Sequence, residues 1–131
     1  MNNEWVFIDT HIPRQSRLGW LSDAGRLNVR THPGRPPLLL KQLFKDRTRL
    51  ESAHGICVVA GPGSFSSIRI GVLYANLLAR LFHKPLRGVR VEEVSDLRTL
   101  YKQCIEDGQA SAAYVAPIYD AEPNITLPKS V

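Results

Sequence analysis

Gly55-Ile56-Cys57-Val58-Val59-Ala60, running straight into Gly61-Pro62-Gly63-Ser64-Phe65-Ser66-Ser67-Ile68-Arg69-Ile70-Gly71, is the stretch on which the fold turns. Its first six residues are small or apolar without alternation, the pattern of a strand buried on both faces of a parallel sheet. Gly61, Pro62 and Gly63 interrupt the strand. Ser64 then stands where a helix N-cap is wanted, and an apolar helix is predicted from Ser64 to His83. Strand, glycine turn and helix in immediate succession are the working unit of an α/β fold.

The same junction is the first place to look for chemistry. Free N–H groups at a helix start can hold an anion. Walker A, however, needs a Gly-Lys-Ser/Thr ending, and the chain has none. The dinucleotide fingerprint G-x-G-x-x-G fails at Ser66, and the nucleophile elbow G-x-S-x-G fails at Pro62 and Ser66. Gly61, Pro62, Gly63 and Ser64 therefore read as a structural turn, with Gly63 expected where the backbone swings from strand into helix and a Cβ would clash.

Working outward, Trp5 to Ile8 reads as a buried first strand ending in Asp9-Thr10. Leu18–Leu21 and Arg26–Val29 read as a hairpin about Ser22–Gly25. Pro33 to Pro37 breaks the strand, and Leu38 to Arg47 is predicted as a first helix with Leu39/Leu43 and Leu40/Phe44 as i, i+4 pairs. Beyond the second helix, Leu86–Val89 is a short strand. Glu92 to Asp107 is a third helix with an apolar stripe from Val94 to Ile105, and Ala112–Ile118 is a last strand. The order β-β-β-α-β-α-β-α-β is that of an actin-like ATPase half or a ribonuclease H-like domain, an α/β mixed sheet flanked by helices. One domain over residues 1–119 and an irregular tail over 120–131 are expected.

Composition agrees with one ordinary globular domain. The chain has 131 residues, 44% hydrophobic and 22% charged, which argues against disorder, collagen and coiled coil. No apolar run is long enough for a membrane span, and Glu4 near the start argues against a secretory signal. Cys57 and Cys104 lie in apolar runs and read as buried thiols of a reducing compartment, so a cytoplasmic protein is expected. The net charge of +5 is uneven: residues 1–54 hold nine Lys/Arg against five acids. Aromatic stacking on bases is not expected from that Arg-rich half. His11, His32, His54 and His83 have no metal-ligand spacing.

The second helix carries more apolar surface than one core contact can bury. On a helical wheel Arg69, Asn76, Arg80 and His83 fall in a stripe about 60° wide, and nearly everything else is apolar or small. The surplus predicts a second surface covering the helix. The charge-free side, with Tyr74, Ala75, Leu78 and Phe82, is expected on the sheet. The side with Phe65, Ile68, Arg69, Val72, Leu73, Asn76 and Arg80 is expected to face another chain, with Leu39 and Leu43 of the first helix alongside.

The 61–71 block resembles the G-P-G-S-F-T-G-x-R-I-G signature of the TsaB (YeaZ) family. Phe7-Ile8-Asp9-Thr10 is similar to that family's first strand, Pro85 to Val89 to its P-hydrophobic-x-G-V segment, and Ile118 to Ala121 to its I-D-A-R stretch. Ser66-Ser67 replaces Thr-Gly, Arg90 replaces a helix-capping Ser, Pro36-Pro37 replaces the usual opening of the first helix, and the Arg of I-D-A-R is missing. Family members continue into a second actin-like half, so the chain is expected to be a short form resembling the N-terminal half.

The resemblance implies a non-catalytic scaffold subunit with no cofactor of its own. Asp9 and Thr10 are weak candidates for a remnant phosphate turn. The partner would be a TsaD-like ATPase, which carries the ATP and metal, with TsaE as a further partner. Together they place threonylcarbamoyl on the adenosine beside the anticodon of ANN-decoding tRNAs. Pairing would use the first two helices, which also leaves a homodimer open, and tRNA contact would be indirect or weak. The rival from the residues alone is a small Mg²⁺-dependent ribonuclease H-like nuclease. Asp9 and Asp120 would be its strand-end carboxylates, with Glu51, Glu92 and Glu93 available as further acids.

Overall fold

The computed structural model describes residues 4–22, 28–34, 41, 43, 45–106 and 115–118. Five strands form one sheet: β1 (Trp5–Asp9), β2 (Gln15–Leu21), β3 (Asn28–Pro33), β4 (Gly55–Gly61) and β5 (Leu86–Arg90). Their order is β3-β2-β1-β4-β5. β1, β2 and β3 pair antiparallel, and β4 and β5 extend the sheet parallel to β1. A parallel neighbour needs a crossover, and each crossover carries helix. α1 (Arg47–Ser52) precedes β4, and α2 (Phe65–Leu81) links β4 to β5. A 3₁₀ turn at Val91–Val94 and α3 (Leu97–Glu106) follow β5.

The alternation of side chains along β1 and β4 sorts the core into two layers. Val6, Ile8, Ile56, Val58 and Ala60 meet Ile68, Val72, Ala75 and Leu78 of α2, together with Leu43 and Leu50. Trp5, Phe7, Cys57 and Val59 point the other way, onto Val94, Leu100 and Tyr101. Both faces of β1 and β4 are covered, so these strands show unbroken apolar runs.

The α/β mixed sheet of actin-like and ribonuclease H-like proteins is present, with several boundaries moved. Lys41 and Leu43 are helical, but a turn at 45–46 is followed by a separate short helix, α1, with only Leu50 buried. The helix expected from Glu92 starts at Leu97, because Asp96 accepts from the Arg98 and Thr99 N–H groups and from Thr99 Oγ1 and so caps α3 there. Residues 115–118 form no strand. They are tied to α2 and β4 instead: Val115 N donates to Asn76 Oδ1 at 3.0 Å, Asn76 Nδ2 donates to Val115 O at 2.9 Å, and Ile118 N donates to Ala60 O at 2.6 Å. Leu39, Asp120, the Ser22–Gly25 turn beyond Ser22, and the expected tail lie outside the described residues.

Candidate functional site

Three structural parts meet at the C-terminal end of β1: the Asp9-Thr10-His11 turn, the β4–α2 junction and the body of α2. Asp9 is opposite Arg17 in the β1–β2 register. Its carboxylate is 1% exposed and spends its lone pairs inside the fold. Oδ2 accepts from Arg17 Nε at 3.0 Å, and Arg17 Nη2 lies at 2.9 Å. Oδ1 accepts from the His11 backbone N–H at 3.1 Å and from the His11 ring at 2.6 Å. A buried carboxylate paired in this way is an internal clamp between β1 and β2.

Thr10 locks the same turn to α2. Its hydroxyl donates to Ser67 O at 2.7 Å. A Cβ on Gly71 would stand 2.1 Å from Thr10 Oγ1, so the helix can lie this close only because residue 71 has no side chain. At the junction the left-handed residue is Gly61, with φ of +124°, where a Cβ would meet Ile118 O at 2.0 Å. Gly63 stands where a Cβ would clash, as expected, though without a left-handed φ. Its constraint is space, since a Cβ would come within 2.9 Å of His11 O. Ser64 is the residue before α2, as expected, but its side chain makes no cap hydrogen bond. Pro62 follows Gly61 through a cis peptide bond.

The outer face of α2 differs from the expected one. Ile68 and Val72 are 0% and 2% exposed and belong to the core, as does Leu43 at 4%. Asn76 bonds to Val115 and to Val72 O and faces inward. These four are corrections to the expected partner-facing set. Its remaining described members do point outward: Phe65, Arg69, Leu73 and Arg80 are exposed. Leu77 and Leu81 join them, at 56% and 62% exposed. Phe65, Arg69, Leu73, Leu77 and Leu81 recur every fourth residue, so they form one ridge about 24 Å long at 1.5 Å per residue. Arg69 rests its guanidinium 5.9 Å from the Phe65 ring centroid. A spacing of four was available in the sequence, but the wheel centred on the polar residues concealed it.

Among the described residues no three His, Cys, Asp or Glu side chains are placed to share a metal ion. Nor is any described helix long and apolar enough to cross a membrane.

A sheet of order β3-β2-β1-β4-β5, clamped at the end of β1 and closed by a glycine-turned helix, is the mixed α/β sheet of the actin-like and ribonuclease H-like fold. Solved structures agree. YeaZ from Pseudomonas aeruginosa superposes with a TM-score of 0.54 over 66% of this chain and 44% of its own, at 20% identity. A second structure, described as an uncharacterized protein with similarity to peptidase YeaZ from Pseudomonas aeruginosa, gives 0.57 over 81% and 50%, at 18% identity. Residues 26–121 match the family model TsaD, tRNA N6-adenosine threonylcarbamoyltransferase, and the chain belongs to that family. A tRNA N6-adenosine threonylcarbamoyltransferase of Fervidobacterium nodosum is 36% identical over 62 residues, which are 47% of this chain and 18% of that protein. The chain spans half or less of the length of these relatives. The likeness to TsaB (YeaZ) proteins read from the 61–71 block is met in the fold.

Proposed function

We propose that the chain is a non-catalytic subunit that docks a TsaD-like ATPase through the outer ridge of α2. In that role it would support threonylcarbamoyl modification of the adenosine beside the anticodon of ANN-decoding tRNAs, in the cytoplasm. ATP and metal would be held by the partner, with TsaE as a further partner. The observation that carries this reading is the ridge itself: four large apolar side chains and Arg69 at every fourth position, winding across the exposed face of α2 by about 40° per step. Single exposed leucines are ordinary, but such a ridge bordered by arginines has the make-up of an interface core with Arg anchors.

The charge on α2 favours a different chain over a second copy. Arg69 and Arg80 are its charged residues, and it carries no acid. Across a two-fold axis the ridge would set arginines near arginines, whereas a partner with carboxylates would pair them. The clamp on Asp9 supports an accessory role over a nuclease or an independent ATPase, because a carboxylate already held by Arg17 and His11 has little left for a metal or a phosphate-bound water.

The test is to mix the purified chain with a TsaD-like subunit and measure mass by size exclusion with light scattering. A stable heterodimer is expected, with Leu77→Glu abolishing it while the variant stays folded and melts within a few degrees of wild type. No association, or association indifferent to Leu77→Glu, would sink the proposal. ATP hydrolysis by the chain alone, lost on Asp9→Ala, would do the same for the accessory role.

A further inference from the structure

A groove opens between β2–β3 and Leu43, Lys45, Asp46 and Arg49, with a cavity of about 330 Å³. Its lining includes Trp20, Arg30, His32, Lys45, Asp46 and Arg49. Arg30 is opposite Leu18 across β2–β3, so Arg30 and His32, two residues apart, stand on the same face as the core residues Leu18 and Trp20. Among the described residues β3 is the edge strand of the sheet. Inward charges on an edge strand can serve simply to discourage edge-to-edge pairing. That purpose does not call for Lys45, which lines the same cavity.

The charges sort into a wall and a binding set. Arg49 is committed: it forks onto Glu4 at 2.8 and 3.1 Å and lies 4.3 Å over the Trp20 ring. Arg30, His32 and Lys45 form no ion pair among the described residues. Asp46 is the acid in the lining, so Arg30 and Lys45, both uncommitted, face one carboxylate. An Arg fork and a Lys ammonium lining one groove are the donor types that suit a tetrahedral oxyanion, which accepts hydrogen bonds from several directions. Arg30 and Lys45 are solvent-exposed, and the surrounding residues 1–54 carry the basic excess, an arrangement that suits a chain lying across the groove better than a small molecule enclosed by it.

We propose that this groove binds a phosphate of a nucleic-acid strand. The inference stands apart from the partner reading, and it departs from the expectation that nucleic-acid contact is indirect or weak. Trp20 provides the signal. In low salt, a short oligouridylate titrated into the full chain should change the Trp20 fluorescence saturably. Arg30→Glu and Lys45→Glu should each weaken binding about tenfold and flatten the salt dependence, by about 0.7 in log–log slope for each lost contact to a single strand. Arg98→Glu makes the same charge change on α3, on the other side of the sheet, and should shift affinity less than twofold. Melting curves confirm that each variant is folded, and Arg30→Gln and Lys45→Gln replace any that is not. AMP and inorganic phosphate, titrated in parallel, should bind far more weakly than the strand. Equal affinity for AMP would overturn the strand assignment in favour of a free nucleotide. No saturable signal with any probe, or equal losses in all three charge reversals, would overturn the site.

Discussion

Val72 and Leu73 are neighbours in sequence and opposites in space, so an aspartate placed at each in turn reads out the two faces of α2 separately. Val72 is 2% exposed against the sheet, while Leu73 is 52% exposed on the ridge. Val72→Asp forfeits about 1.5–3 kcal/mol of apolar burial and places a carboxyl group with no partner in the core, at a further cost of about 2–7 kcal/mol. A domain of this size has roughly 7–20 kcal/mol of stability in all. The variant should therefore melt at least about 10 °C lower, or fail to fold. Leu73→Asp loses only the half of its burial present in the monomer, about 1 kcal/mol, plus a few tenths for helix propensity. Its melting temperature should fall by a few degrees. In a complex that covers the ridge, the same aspartate gives up the other half of the leucine burial and is desolvated. Together these cost about 3–4 kcal/mol, or between 10² and 10³ in Kd. Circular dichroism melts of both variants, and light scattering of Leu73→Asp with a TsaD-like subunit, supply the measurements. If Leu73→Asp unfolds and Val72→Asp does not, the faces are assigned backwards. If Leu73→Asp folds and associates normally, the ridge is not the interface.

Two further predictions concern the scaffold. Gly61→Ala puts a Cβ 2.0 Å from Ile118 O at a φ of +124°, and should lower unfolding free energy by about 2–4 kcal/mol in urea titrations. Asp96 is held below the ordinary carboxyl value of 3.8, first by the Thr99 hydroxyl and then by the Thr99 and Arg98 amides. A lowered folded value means that its contribution is complete above the unfolded value and fades as pH drops through the folded one. Asp96→Ala should accordingly reduce the melting temperature at neutral pH, and the gap to wild type should start to narrow only below pH 3.8 and keep narrowing as the pH drops further.

The parts of the fold legible in the sequence were those whose burial is two-sided or strictly periodic. β1 and β4 announce themselves by unbroken apolar runs because each is covered on both faces. The β4–α2 junction is legible because glycine and proline have few other uses there. α1 was missed because one buried leucine among Arg47, Thr48, Arg49, Glu51 and Ser52 makes no stripe. The start of α3 was signalled by Ser95-Asp96, a capping pair overridden by the apolar Val94. The site was legible in its location but not in its orientation. Asn76 looked like a surface residue because it is polar, yet its amide makes the hydrogen bonds that hold Val115. Polarity marks a need for hydrogen bonds, which water and buried backbone satisfy equally well.

The meeting of Thr10 and Gly71 sets a mechanical index for the molecule. Thr10 fills the space left by the absent side chain of residue 71, and its hydroxyl is engaged with the carbonyl one turn earlier. Sliding α2 by a single residue in either direction would bring Ile70 or Val72 into that notch, where neither fits. The helix and the first strand are thus meshed like a tooth and a gap, and the outer ridge has no travel of its own. Leu73 and Leu77 therefore stand on a helix whose inner face is keyed to the turn that carries Asp9 and His11.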